Sequence, residues 1–125
     1  MEDLIIEETQ ATPDIKFLTN GICSISGRSF PENSFEFYEP VKKWLTDYLS
    51  KEEAQKLVIN FHIIYLNSSS TMTFFELLDI CEKYCSKVDI KINWYYDTEN
   101  DSIEEFGEDI QEDFSSLSID VTAEG

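Results

Sequence analysis

The chain has 125 residues, of which 42% are hydrophobic and 14% aromatic, a composition that fills one domain-sized core and excludes global disorder. Its formal net charge of −17 argues against nucleic acid and anionic membranes as ligands, because both would repel it. Eleven of the 26 acidic residues and none of the nine Lys and Arg lie in an acidic C-terminal segment, residues 97–125. We predict a single domain over residues 1–125 that includes this segment.

The sequence predicts no membrane insertion and no export. No apolar run approaches the roughly 20 residues of a membrane span. The stretch Met1–Asp3 is acidic and lacks the basic and then apolar pattern of a signal peptide. The three cysteines, Cys23, Cys81 and Cys85, are an odd number and fit reduced thiols. We therefore expect a cytoplasmic protein.

The N-terminal part predicts an edge strand and a hairpin. Leu4–Ile6 is the edge-strand candidate, and Pro13 separates it from the next strand because proline cannot donate to a ladder. Two further short strands, Ile15–Leu18 and Ile22–Ile25, flank Asn20-Gly21. This dipeptide is typical of hairpin turns because both residues tolerate positive φ.

Three main helices are predicted from the spacing of apolar residues. Val41–Leu49 and Phe74–Cys85 each place their apolar residues on one stripe. Ser102–Phe114 is an acidic helix with an apolar inner face, although Gly107 lies inside it and glycine disfavours helices. The turn Ser34–Tyr38 is a further short helical candidate. These helices alternate with strands, which predicts an α/β fold.

The longest apolar run, Leu57–Leu66, predicts a central strand. It is interrupted only by Asn60 and His62, a pattern typical of a strand covered on both sides. His62, the only histidine, is accordingly expected to be a packed core residue. Ile90–Tyr95 alternates apolar and polar residues and predicts a strand with two different faces. Leu117–Val121 is the last strand candidate.

Between the Leu57–Leu66 strand and the Phe74–Cys85 helix lie Asn67 and four hydroxyl residues, Ser68–Thr71, here called the hydroxyl cluster. Side-chain oxygens of Ser, Thr and Asn cap helices by accepting hydrogen bonds from the free N–H groups of the first turn. In open α/β sheets, function lies outside the carboxyl ends of the strands. The hydroxyl cluster can therefore cap the helix, bind an anion, or carry a phosphate. Residue chemistry alone favours the cap.

Catalytic and metal signatures are weak. Cys81 and Cys85 lie one helical turn apart, but no second pair with zinc-site spacing exists, so core thiols are predicted. Asp97-x-Glu99-x-Asp101 resembles the start of a calcium loop but lacks the turn glycine and the closing Glu, so a solvated helix face is predicted. A thiol enzyme requires an exposed cysteine with a lowered pKa. We predict no metal, no cofactor and no enzymatic activity.

A series of short motifs lies in order between Thr9 and Phe114. They are Thr12-Pro13-x-Ile15, Gly27-x-Ser29-Phe30-Pro31-Glu32-Asn33, Glu36-Phe37-Tyr38-x-Pro40, Trp44-Leu45, Tyr65-Leu66-Asn67-Ser68-Ser69, Asn93-Trp94-Tyr95-Tyr96, Gly107-Glu108-Asp109 and Glu112-Asp113. Each motif alone is unspecific. Their shared order and spacing resemble the SiaC-type family of bacterial regulatory phosphoproteins.

The resemblance implies a non-enzymatic switch protein. Its fold is similar to anti-sigma-factor antagonist domains, a mixed sheet with about three packed helices. Members of the family are phosphorylated by a dedicated kinase with a histidine-kinase-like ATPase fold, and a PP2C-type phosphatase removes the phosphate. The unphosphorylated form binds and activates an effector, a diguanylate cyclase, which implies a role in cyclic di-GMP signalling.

The resemblance also implies the modified residue. In the family it directly follows the Asn of the strand-to-helix turn and is usually Thr; at this position the chain has Ser68. Asn67, Ser69, Ser70 and Thr71 flank it. A Lys that often follows the hydroxyl run is absent here, with Met72 in that region.

The partner surface is predicted at the carboxyl end of the Leu57–Leu66 strand and at the loop Arg28–Asn33. Its candidate residues are Tyr65, Arg28, Pro31, Glu32 and Asn33. The alternative function is an acidic decoy that mimics nucleic acid and blocks a DNA- or RNA-binding protein, and the net charge of −17 motivates it. Dependence of partner capture on the state of Ser68 separates the two.

Overall fold

One sheet and its helices account for most of the computed structural model, which describes residues 1–124. Gly125, the last residue of the predicted acidic segment, lies outside the described residues. The strands are β1 Leu4–Ile6, β2 Asp14–Phe17, β3 Ile22–Ser29, β4 Lys56–Leu66, β5 Asp89–Asp97 and β6 Ser118–Glu124. The helices are α1 Ser34–Phe37, α2 Glu39–Leu49, α3 Ser68–Tyr84 and α4 Asp101–Asp113.

The sheet is mixed, and its strands follow chain order from β1 to β6. The first three strands pair antiparallel, and β3, β4, β5 and β6 pair parallel. The β2–β3 hairpin turns at Gly21, which has a φ of +90° that suits glycine. The predicted α/β fold, with a mixed sheet and three main helices besides the short α1, is confirmed.

All three long helices pack on the same face of the sheet. When parallel strands follow one another in one direction across a sheet and are joined by right-handed crossovers, every connecting helix lies on the same side of the sheet. Along β4, Leu57, Ile59 and Phe61 are buried under the helices, whereas Asn60 and His62 on the other face are only partly covered. The prediction that this strand is covered on both sides is therefore wrong.

His62 lies on the uncovered face, here called the open face, and is not a core residue. Its side chain is 39% exposed, and its Nδ1 lies 2.9 Å from Glu124 Oε1. Nearby on the open face, Asn93 Nδ2 donates to Asn60 Oδ1 at 2.9 Å. The prediction was wrong because Asn60 and His62 form side-chain contacts with neighbouring strands. With these contacts, a largely apolar strand can leave one face uncovered by helices.

The core between sheet and helices is aromatic at its centre. The Trp94 ring contacts those of Phe61 and Phe106 at centroid distances of 5.2 and 5.1 Å. Trp94 Nε1 donates to the carbonyl of Ile103 at 3.0 Å, so the buried indole is satisfied. Gly107 of α4 faces this ring, and a Cβ there would collide with Trp94 Cδ1. The helix carries glycine because the indole occupies that space.

Candidate functional site

The carboxyl ends of β3 and β4 lie side by side. The two strands are parallel and in register from Ile22 opposite Val58, and a bulge then shifts the register so that Arg28 lies opposite Tyr65. The Asn67 N–H donates to the Ser29 carbonyl at 3.0 Å beyond the bulge. The two segments predicted to form a partner surface are therefore adjacent in the structure.

Asn67 caps α3. Its Oδ1 accepts a hydrogen bond from the Ser70 N–H at 2.9 Å, which satisfies one of the free donors of the first turn. The helix begins at Ser68, earlier than the predicted start at Phe74. The hydroxyl cluster therefore forms the first turn of the helix instead of a loop before it, and its side chains point in different directions around the axis.

Three hydroxyls of the cluster are engaged. Ser69 Oγ lies 2.7 Å from Ser34 Oγ of α1. Thr71 Oγ1 donates to the Asn67 carbonyl at 3.0 Å. Ser70 is fully buried, and its Oγ lies 2.7 Å from Ser29 Oγ. These contacts give Ser69, Ser70 and Thr71 structural roles.

Ser68 differs from its neighbours. Its side chain is exposed at the first position of α3, and its hydroxyl makes no hydrogen bond to any of residues 1–124. The N–H groups and the positive end of the dipole at a helix N-terminus favour an anion. A phosphate attached at Ser68 therefore meets free space and a favourable field.

A buried hydroxyl network that was not predicted from the sequence joins Ser29, Ser34, Ser70 and Tyr38. Ser29 Oγ lies 2.6 Å from Tyr38 Oη, and Ser34 Oγ lies 3.2 Å from Ser70 Oγ. Burial raises the pKa of Tyr38 well above its usual range, so the phenol stays neutral. The network ties β3, α1 and α3 together. Ser70 lies 41 positions from Ser29, so the sequence does not show that they meet, although Ser29 and Tyr38 lie within the motifs already noted.

Large apolar side chains surround the start of α3 on the surface. Tyr65 and Phe30 contact each other edge to face, with a centroid distance of 5.8 Å, and both are exposed. Phe35 of α1 is 64% exposed beside Ser34, and Met72 is 68% exposed one turn after Ser68. We call Phe30, Phe35, Tyr65 and Met72 the apolar collar. Exposed apolar side chains grouped at one place are typical of protein contact sites.

The predicted partner residues divide by exposure. Arg28 and Glu32 are exposed, as is Tyr65. Pro31 is buried. Asn33 is exposed but caps α1, because its Oδ1 accepts from the Glu36 N–H at 3.0 Å. Pro31 and Asn33 therefore shape the loop, while the other three present side chains to solvent.

The cysteines are free, as predicted. Burial raises the pKa of both Cys23 and Cys81 to about 12, the opposite of the lowered pKa that a nucleophilic thiol needs. Cys85 is half-buried. Within residues 1–124, no three His, Cys, Asp or Glu side chains converge into a possible metal site. The same residues contain no helix of the length and hydrophobicity needed to cross a membrane.

A one-sided α/β sheet with an N-capped, hydroxyl-rich helix start at the carboxyl end of its central strand defines the class: a small, single-sheet α/β domain. The chain belongs to the SiaC family, because the model described as "SiaC family regulatory phosphoprotein" matches residues 6–124. The resemblance inferred from the motifs is confirmed.

Known relatives agree in sequence and in structure. An uncharacterized protein of Pseudomonas aeruginosa (strain UCBPP-PA14) is 33% identical over 117 residues, which cover 92% of each chain. The crystal structure of apo-SiaC from Pseudomonas aeruginosa is similar with a TM-score of 0.89 at 32% identity, covering 98% of this chain and 100% of that one. SiaC in a crystal structure with the diguanylate cyclase SiaD, of which it is the activator, has a TM-score of 0.89 at 31% identity and the same coverage.

Proposed function

We propose that this chain is a non-enzymatic, cytoplasmic switch controlled by phosphorylation of Ser68. A cognate kinase with a histidine-kinase-like ATPase fold adds the phosphate, and a PP2C-type phosphatase removes it. The unphosphorylated form binds and activates a diguanylate cyclase. The complex of SiaC with SiaD supports the nature of the effector, and the family's description as a regulatory phosphoprotein supports the modification.

The exposure of Ser68 is the observation that carries this proposal. Of the four residues in the hydroxyl cluster, it alone combines an exposed side chain with a hydroxyl that no group in residues 1–124 engages. A kinase can reach it without opening the fold. Ser70, by contrast, lies in the buried hydroxyl network and is out of reach.

The same position explains why the phosphate would act on the partner and not on the fold. Phosphorylation adds about −1.5 to −2 charges at pH 7. At the start of α3 these charges meet the helix dipole, a contact worth roughly 0.3–1 kcal/mol when exposed. The folded chain therefore tolerates the phosphate.

The effector would bind across the apolar collar. A partner surface that closes over Phe30, Phe35, Tyr65 and Met72 also covers Ser68, since Met72 lies one turn along the helix from it. A phosphate there must lose its water shell when the partner covers it, and it adds negative charge to a protein whose net charge is already −17. A loss of about 2.8 kcal/mol weakens binding roughly a hundredfold. Arg28, Glu32 and Tyr65 extend the proposed contact surface.

The test compares the two states of one residue. The chain carrying phosphoserine at position 68 and the unmodified chain are titrated against a SiaD-type diguanylate cyclase, with binding and cyclase activity both measured. We expect binding to weaken about a hundredfold on phosphorylation and activation to be lost, with little change in melting temperature. Incubation with the cognate kinase and ATP, followed by fragment mass analysis, should place the phosphate on Ser68.

Two variants complete this experiment. Ser68→Ala should bind the cyclase normally and resist the kinase, whereas Ser69→Ala, the matched control next to it, should still be phosphorylated. Phosphate found only at Ser70 or Thr71 would move the site. Equal binding by both states of Ser68 would end the switch proposal.

A further inference from the structure

A contact between three elements lies at the edge of the apolar collar. Phe35 of α1 is 64% exposed, yet one face of its ring is covered, because Lys42 Nζ of α2 lies 4.6 Å from the ring centroid. The Lys42 side chain is itself only 13% exposed, so its stem is packed against its neighbours instead of extending into solvent. A cation over an aromatic face attracts the ring, and more strongly where water is partly excluded. Lys42 therefore restrains the Phe35 ring.

The third element of this contact is α3. Lys42 Nζ donates to Glu76 Oε2 at 2.7 Å, so the ammonium that covers Phe35 is also held by a carboxylate. Ser68, Met72 and Glu76 follow one another at a spacing of four residues along α3, which places them on one stripe of the helix. The contact thus joins the Phe35 ring to the stripe that begins at the proposed phosphorylation site.

The backbone next to Phe35 is fixed independently. Ser34 Oγ lies 2.7 Å from Ser69 Oγ and 3.2 Å from Ser70 Oγ, which ties α1 to the first turn of α3. A helix of four residues depends on such contacts, because it is too short to be stable by itself. The hydroxyl contacts of Ser34 hold the backbone of α1, and Lys42 holds the ring that α1 presents to solvent.

We propose that Lys42 is a positioning residue for effector binding: held by Glu76, it fixes the orientation in which Phe35 faces a diguanylate cyclase. Aromatic side chains are common anchors of protein interfaces. A ring that is already held in place loses less conformational freedom when a partner binds. Lys42 acts through Phe35 and not by meeting the partner itself. This inference rests on the proposed function, because it concerns the same surface.

NMR of the free chain tests the contact without an effector. Protons above the face of an aromatic ring are shifted upfield by the ring current, so the ε-CH₂ protons of Lys42 should resonate upfield of those of the exposed Lys43. Phe35→Ala should return them to the ordinary position. Lys42 ε-CH₂ protons at that position in the unsubstituted chain would overturn the proposal.

Titration of a SiaD-type diguanylate cyclase with unphosphorylated variants tests the effect on binding. Lys42→Gln removes the cation, and we expect it to weaken binding about fivefold. Lys42→Arg keeps a cation over the ring and should bind within about twofold of the unsubstituted chain. Lys43→Gln is the matched control: it causes the same change in net charge, but Lys43 pairs with Asp47 on the outer side of α2, so binding should change less than about twofold. Melting temperatures confirm that each variant is folded.

A double-mutant cycle separates positioning from a general effect on stability or charge. Phe35→Ala should weaken binding about tenfold or more. In that background there is no ring to hold, so adding Lys42→Gln should change binding less than about twofold. If Lys42→Gln weakens binding equally with and without the Phe35 ring, Lys42 does not act through Phe35 and the proposal is refuted.

The outcomes also distinguish this inference from the proposed function. If phosphorylation of Ser68 weakens cyclase binding but Lys42→Gln binds as tightly as the unsubstituted chain, the switch stands and the role of Lys42 is refuted. If both states of Ser68 bind equally while Lys42→Gln binds more weakly, the switch fails and the role of Lys42 stands. A chain that does not bind the cyclase in either state overturns both.

Discussion

At the scale of single residues, neighbours in the hydroxyl cluster have opposite environments. Ser68 is exposed, and Ser70, two positions along the same helix, is fully buried. The reason is the helical period, which rotates successive side chains by about 100° around the axis. One side chain is free for modification and the other joins the network that fixes the helix start to β3 and α1.

The buried hydroxyl network predicts a stability difference between Ser70 and its neighbour. Ser70→Ala removes the contacts to Ser29 and Ser34 inside the protein, so we expect a loss of about 1–2 kcal/mol in the free energy of unfolding. Urea denaturation of the purified variant measures it. Ser69→Ala is the matched control: Ser69 itself is exposed, so water can reach the Ser34 hydroxyl that it leaves, and the loss should stay below about 0.5 kcal/mol. Equal losses in the two variants would contradict this role of the network.

At the scale of elements, α4 packs closely against the sheet because Gly107 has no side chain. Its apolar residues Ile103, Phe106 and Ile110 are buried as their spacing predicted. Gly107, which weakens the helix when judged by propensity alone, is buried against Trp94. Here packing overrides propensity, because a backbone close to an indole ring leaves no volume for a Cβ.

Gly107→Ala tests this contact. Helix propensity favours alanine over glycine by about 1 kcal/mol, but the added Cβ collides with Trp94 and overpacking costs about 1–3 kcal/mol. We expect a net loss of stability and a lower melting temperature, together with altered Trp94 fluorescence. Glu105→Ala, at an exposed position of the same helix, controls for composition and should be nearly neutral. A stabilised Gly107→Ala variant would show that the helix lies farther from the sheet.

At the scale of the whole molecule, most of the acidic side chains of residues 97–113 face solvent. Exposed acids follow the outer side of α4, including Glu105, Asp109 and Glu112. Asp97 accepts from the Glu99 N–H at 2.9 Å and so shapes the turn before α4, which Asn100 caps. The charge thus fits a solvated surface, and the decoy function, motivated by charge alone, gains no structural feature in its favour.

This distribution predicts weak calcium binding. The acids of residues 97–113 lack a loop that wraps a cation, so calorimetric titration in physiological salt should detect no calcium site tighter than about millimolar. Magnesium, titrated in the same way, provides the control for general attraction to a protein of charge −17. A micromolar calcium site would refute the interpretation of this segment as a solvated helix face.

Local sequence is enough to predict the elements and the family. The apolar stripes of the helices, the Asn20-Gly21 turn and the Asn67 cap depend on contacts within a few residues. They can therefore be predicted from the sequence. The order of the motifs identified the family because it is a property of the chain alone. Strand and helix bounds differ mainly at the ends, most of all at α3, where the hydroxyl cluster is helical.

Which surfaces are covered depends on tertiary packing. Crossovers of one hand put the helices on a single face, so Asn60 and His62 face outward although the run around them is apolar. The contact between Ser29 and Ser70 joins residues 41 positions apart. It is part of the packing that buries the Ser70 hydroxyl, while Ser68 stays exposed. Local sequence cannot specify such contacts, because they depend on how distant elements pack together.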